Sequence, residues 1–178
     1  MIRPAQPADV PVILALIKEL AAYEREPDAV VATQADLEAA LFREDAALFG
    51  LIAEHPGQDG PVIAGCALWF LNFSTWVGRH GIYLEDLYVR PEFRGQGYGG
   101  QLLVELAKIA DERGYGRLEW AVLDWNETAH RFYESVGAVA MHEWTIWRVS
   151  DVALPQLAQR VTTTNASKTT PPDVEGRT

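Results

Sequence analysis

Apolar residues at Val10, Ile13, Leu14, Ile17 and Leu20 recur with the period of a one-faced helix, opened by the cluster Pro7, Asp9 and Pro11. Ile2 to Pro4 before it has room only for a short strand, and Asp36 to Phe42 predicts a second, shorter helix. The pattern then turns β-like. Leu48–Glu54 and Val62–Phe73 read as strands joined by turn residues His55 to Pro61, and a third strand follows over Ile82–Val89. Leu102, Leu103, Leu106, Ala107 and Ala110 return to helical spacing, closed by Gly114, and Leu118–Asp124 reads as a strand. Asn126 caps a helix carrying Ala129, Phe132, Tyr133 and Val136 and stopped by Gly137, before a last expected strand over Val139–Val149. Hairpin strands mixed with strand–helix–strand units predict an α/β fold, a mixed sheet covered by helices. One domain is expected over residues 1–160. From Val161 to Thr178 threonine, serine, asparagine and paired prolines replace the apolar period, so a disordered tail is expected there.

Between the third strand and its helix lies Arg94-Gly95-Gln96-Gly97-Tyr98-Gly99-Gly100. Glycines at alternate positions let successive backbone N–H groups turn toward one point, and the helix start adds its positive end. An anion such as a phosphate fits there. Gly95, Gly97 and Gly100 also satisfy the dinucleotide pattern G-x-G-x-x-G, but a Rossmann unit normally comes first in its chain with several parallel strands to follow. A nucleoside-triphosphate loop would need Gly-Lys-Ser or Gly-Lys-Thr, which the loop lacks.

The net charge of −10 over 178 residues argues against nucleic-acid partners, which need lysine and arginine to neutralise phosphates. It favours a cationic substrate or serves solubility. The longest apolar run, Val62 to Leu71, is about half the length of a bilayer span, and no basic-then-apolar leader opens the chain. With Cys66 as its one cysteine, set in an apolar run, the chain reads as cytoplasmic, its thiol buried and inert. His55, His80, His130 and His142 lack metal-ligand spacing, so no metal is expected.

Arg94 to Gly99 matches the R/Q-x-x-G-x-G/A loop of the GNAT family of N-acetyltransferases. With Tyr83-Leu84-Glu85-Asp86, Ser74-Thr75-Trp76, Ala121 to Asn126 and Phe132-Tyr133, the chain over residues 2 to 158 resembles the diamine acetyltransferase branch, including its thialysine-acetylating members. The resemblance implies a GNAT fold, with about six to seven strands and about four helices. It implies acetyl-CoA as co-substrate, with Arg94, Gly95, Gln96, Gly97, Tyr98, Gly99 and Gly100 at the pyrophosphate. The backbone of Leu87, Tyr88 and Val89 would pair with the pantetheine arm, and Asn126, Thr128, Ala129 and Tyr133 would complete the cofactor site. Tyr133 is the expected general acid and Glu85 the expected base, since an aliphatic amine near pKa 10.4 arrives protonated. Partial burial is expected to raise Glu85, and a regular strand would turn Asp86 to the opposite face. Tyr23, Glu24, Trp76, Glu85 and Asp86 are the expected acceptor contacts, with Arg25 interrupting the acidic stretch. Members of the branch are commonly homodimers, so a homodimer is expected. Two other readings stay open at this stage, a catalytically silent acetyl-CoA sensor of the same fold and, more remotely, an NAD(P)-binding oxidoreductase.

Overall fold

The computed structural model describes residues 1–166, with side chains to Arg160. Where one domain was expected over 1–160, the chain divides into two compact units, Met1–Gly137 and Ala138 onward.

The first unit is built on one mixed sheet. Its strands are β1 (Ile2–Pro4), β2 (Phe49–Gly57), β3 (Gly60–Ser74), β4 (Arg79–Val89) and β5 (Leu118–Glu119), lying side by side in chain order. All neighbours run antiparallel except β4 and β5, which are parallel and joined through helix α3 (Tyr98–Glu112). The β2–β3 strands extend past the expected ends and meet at a two-residue turn, Gln58-Asp59, with Gly57 opposite Gly60. His55 therefore belongs to a strand.

Period-2 alternation divides the core between the two faces of the sheet. Leu51, Ala53, Ala67, Trp69, Ile82 and Leu84 face α3, which buries Leu102, Leu103, Leu106 and Ala110 as its spacing predicts, while Ala107 of the predicted stripe is exposed. Ile52, Cys66, Leu68 and Tyr88 face α1 (Val10–Tyr23) and α2 (Gln34–Phe42). Leu16, outside the predicted stripe, is fully buried on α1, whereas Leu14, Ile17 and Leu20 pack only partly. Thr33 caps α2 by accepting from the Asp36 N–H, and Arg3 ties β1 to Asp9 and Glu54 through charge-assisted bonds of 2.6 to 2.9 Å.

The strand count is a correction. The sheet has five strands, because a strand needs a neighbour to complete its ladder and apolar alternation does not supply one. Leu118–Asp124 was expected to pair throughout, yet pairing with β4 stops at Tyr83 opposite Glu119. Trp120 instead turns to α4 (Glu127–Ser135), its ring 4.7 Å from that of Tyr133. In the second unit residues 139–149 join no ladder among the described residues. That unit carries α5 (Ala153–Ala166), and the rest of the expected tail, 167–178, lies outside the described residues.

Candidate active site

Where β4 and β5 part, a cleft of about 510 Å³ opens between them. Leu84, Glu85 and Leu87 to Val89 line one side, on the edge of β4 away from β3 where β5 no longer pairs, and Trp120, Ala121 and Val122 line the other. The end of α1, the start of α3 and one face of α4 close the remaining sides.

The glycine loop lines one end of the cleft. Gly95 and Gly97 have φ of 75° and 83°, the left-handed region that disfavours any side chain, and Gly97 caps α3. Gln101 N–H returns to Gly97 O, while the amides of Tyr98, Gly99 and Gly100 belong to the first helical turn, which has no intrahelical acceptor for them. A side chain at Gly99 would contact the Phe132 ring at 3.5 Å, whereas one at Gly100 would meet nothing within 4 Å. The protein itself leaves the space over Gly100 open, as a pyrophosphate would require. Gly100→Ala is therefore expected to raise thermal stability slightly, by up to about 1 kcal/mol, while weakening acetyl-CoA binding at least tenfold. Thermal melts and calorimetric titration check the two halves separately.

Arg94 donates from Nε to Val89 O at 3.0 Å and lies over the Tyr23 ring at 4.9 Å and the Tyr88 ring at 5.6 Å. It thus joins the glycine loop to β4 and to the end of α1. Tyr23 Oη donates to Asn126 Oδ1 at 3.2 Å, and the same oxygen accepts from Ala129 N–H as the cap of α4. Asn126 is both a buried helix cap and a wall of the cleft.

Tyr133 lines the cleft together with Glu24 and packs on Trp120 and Phe132. Burial, with a smaller push from the Glu24 charge, drives its phenol up to about 12. The hydroxyl therefore stays protonated throughout the physiological range. Burial likewise raises the Glu24 carboxyl.

The two carboxylates of β4 are separated by a bulge. Leu68 sits opposite Asp86 and Trp69 opposite Leu84, so Glu85 is the extra residue with no partner. The extra residue reverses the alternation. Leu84 faces α3, Glu85 projects exposed into the cleft, and Asp86 turns with Leu68 toward α1. Partial burial was expected at Glu85, but the bulge gives it to Asp86. Burial first, then the charges of Glu85 and Glu24, raises the Asp86 carboxyl from 3.8 to about 6. Because this carboxyl binds its proton more tightly folded than unfolded, its ionisation costs stability as pH rises from about 4 to 6. Asp86→Asn is expected to stabilise the fold by about 2 to 3 kcal/mol at pH 7 and by little below pH 4, read from chemical melts at both pH values.

Of the residues predicted for the site, Leu87, Tyr88, Val89, Arg94, Gly95, Gly97, Tyr98, Gly99, Gly100, Asn126, Thr128, Ala129 and Tyr133 converge on this cleft, with Tyr23, Glu24 and Glu85. Three do not line it. Gln96 donates to Glu92 O, Trp76 stands 88% exposed on the turn between β3 and β4, and Asp86 follows the bulge away. Phe93, Trp120 and Phe132 line the cleft unforeseen, and His55 Nδ1 meets Tyr98 Oη at 2.9 Å beneath the glycine loop. No local signal marks His55, since its partner lies far along the chain.

Residues 13–138 match the model of the acetyltransferase (GNAT) family. The chain is 41% identical over 165 residues to the thialysine N-epsilon-acetyltransferase of Bos taurus, covering 89% of this chain and 96% of that protein. It is 32% identical to the L-ornithine N5-acetyltransferase of Arabidopsis thaliana, covering 86% and 85%. Among solved structures, an integron cassette protein from V. cholerae superimposes with a TM-score of 0.72 at 28% identity, covering 89% of this chain and 97% of the other.

Proposed function

The chain belongs to the GNAT acetyltransferase family, and from that premise we propose that it acetylates a primary amine of a small cationic acceptor, a thialysine- or lysine-like amino acid or a diamine. GNAT acetyltransferases use acetyl-CoA, whose thioester supplies the acetyl group. Support for the acceptor class comes from one observation, the convergence of Glu24 and Glu85 on the same cleft as Tyr133 and the glycine loop. An ammonium is drawn to such carboxylates.

In this reading the amides of Tyr98, Gly99 and Gly100 hold the pyrophosphate, and the free edge of β4 from Leu87 to Val89 pairs with the pantetheine arm. For Val89 O, that pairing competes with Arg94. Glu85 takes the proton that the acceptor ammonium must lose before it can attack. Tyr133 donates from Oη toward the departing sulfur. The apolar wall of Leu84, Trp120 and Phe132 limits water, which strengthens both effects.

Coenzyme A thiol release, followed across thialysine, lysine, ornithine, putrescine and spermidine, tests the proposal. Acceptance of one or more small amines is the expected result; acetyl-CoA binding with no release from any of them would leave the silent sensor. The proposal includes a homodimer, which the exposure of Ile146 and Trp147 supports. A monomer mass in light scattering would remove it.

A further inference from the structure

The end of α1 closes on a residue that its backbone does not favour. Arg25 N–H bonds to Ala22 O and Glu26 N–H to Ala21 O, and Arg25 takes φ 70° to complete this turn. Glycine is the usual occupant of such a position, and a side chain there is strained. Backbone strain of this kind clusters at functional sites.

The side chain is also held in place. Its guanidinium carbon lies 4.3 Å from the Trp125 ring centroid, and that ring is 6.1 Å from Tyr23. Tyr23 in turn bonds Asn126, and both line the cleft. A positive charge thus stands at the rim, one side chain out from the wall. Although Glu24, Glu26 and Asp28 surround it in the chain, no carboxylate lies within ion-pair distance of Arg25 among the described residues. Stacking on a ring occupies one face of a guanidinium and leaves its N–H edge for a planar anion, which a carboxylate meets with two parallel bonds.

We propose that Arg25 reads the α-carboxylate of the acceptor, so that the enzyme selects a basic amino acid over a diamine or polyamine. The proposal rests on the amine-acetylation reading above and narrows it. Glu24 and Glu85 attract the ammonium that reacts, while the opposite end of the acceptor meets Arg25. A diamine would bring a second cation to that arginine and be repelled, which supplies discrimination as well as affinity.

The test compares acceptors that differ only in the carboxylate: L-lysine against cadaverine and L-ornithine against putrescine, with thiol release from acetyl-CoA as the readout. The wild-type protein is expected to favour the amino acid of each pair in kcat/KM. Arg25→Gln should reduce that ratio by about 10- to 100-fold, chiefly through KM for the amino acid, the usual worth of a hydrogen-bonded charge. Arg25→Lys should retain part of it. Arg25→Gly relieves the backbone and should melt at higher temperature while losing the ratio as fully as Arg25→Gln does. A merely structural arginine would leave the ratio untouched in both. An unchanged ratio in active variants, or a wild-type preference for diamines, overturns the proposal alone; no thiol release from any amine by the wild type overturns amine acetylation itself and this inference with it.

Discussion

Tyr133→Phe is expected to lower kcat by about 100-fold or more while leaving acetyl-CoA affinity nearly unchanged. Phenylalanine keeps the ring packed on Trp120 and Phe132, so the loss isolates the hydroxyl. With its phenol pushed up to about 12, Tyr133 offers a proton at every working pH. That same value makes full transfer to a thiolate, whose own pKa is near 8.5, uphill in the free enzyme. In the proposed reaction Tyr133 Oη therefore acts first as a hydrogen-bond donor to charge developing on sulfur, a gain made in the transition state and absent from the ground state. It should contribute no descending limb to the pH–rate profile below about pH 11. Rapid-mixing thiol release with calorimetric titration decides the matter. A variant with unaltered kcat would remove Tyr133 from the chemistry.

Glu85→Gln is expected to reduce kcat/KM by about 100-fold near pH 7 and to recover as pH approaches the acceptor's own pKa, about 10. Free amine then arrives without needing a base. A deficit equal at pH 7 and pH 10 would assign Glu85 to acceptor binding alone. Asp86 supplies a second readout, since the Glu85 charge helps hold its carboxyl at about 6. Losing that charge lets Asp86 ionise at lower pH. Any acid limb belonging to Asp86 should consequently move downward in Glu85→Gln.

The glycine loop was legible in the chain because its signal is local. Positive φ at Gly95 and Gly97, the cap of α3 and the strand before it all follow from neighbours within a few residues. The buried stripe of α3 was legible for the same reason. Trp76 was misplaced because a tryptophan near a strand end reads alike whether it packs inward or stands on a turn. The strand after Glu119 and the one over 139–149 were overcounted because alternation records the preference of a segment and says nothing about whether a partner lies alongside it.

By itself, the sequence determined the order of strands and helices from β1 to α4, the glycine loop, and the positions of Asn126 and Tyr133 on one helix start and face. Each depends on periodicity, capping or backbone freedom, which act over one or two turns of chain. Only the tertiary structure decided that β4 and β5 part after one short pairing, that Tyr23, Arg94 and Asn126 meet at the cleft, and that a bulge exposes Glu85 while partly burying Asp86. Those outcomes depend on cross-strand register and on desolvation by residues distant in the chain. Neither quantity belongs to any segment alone.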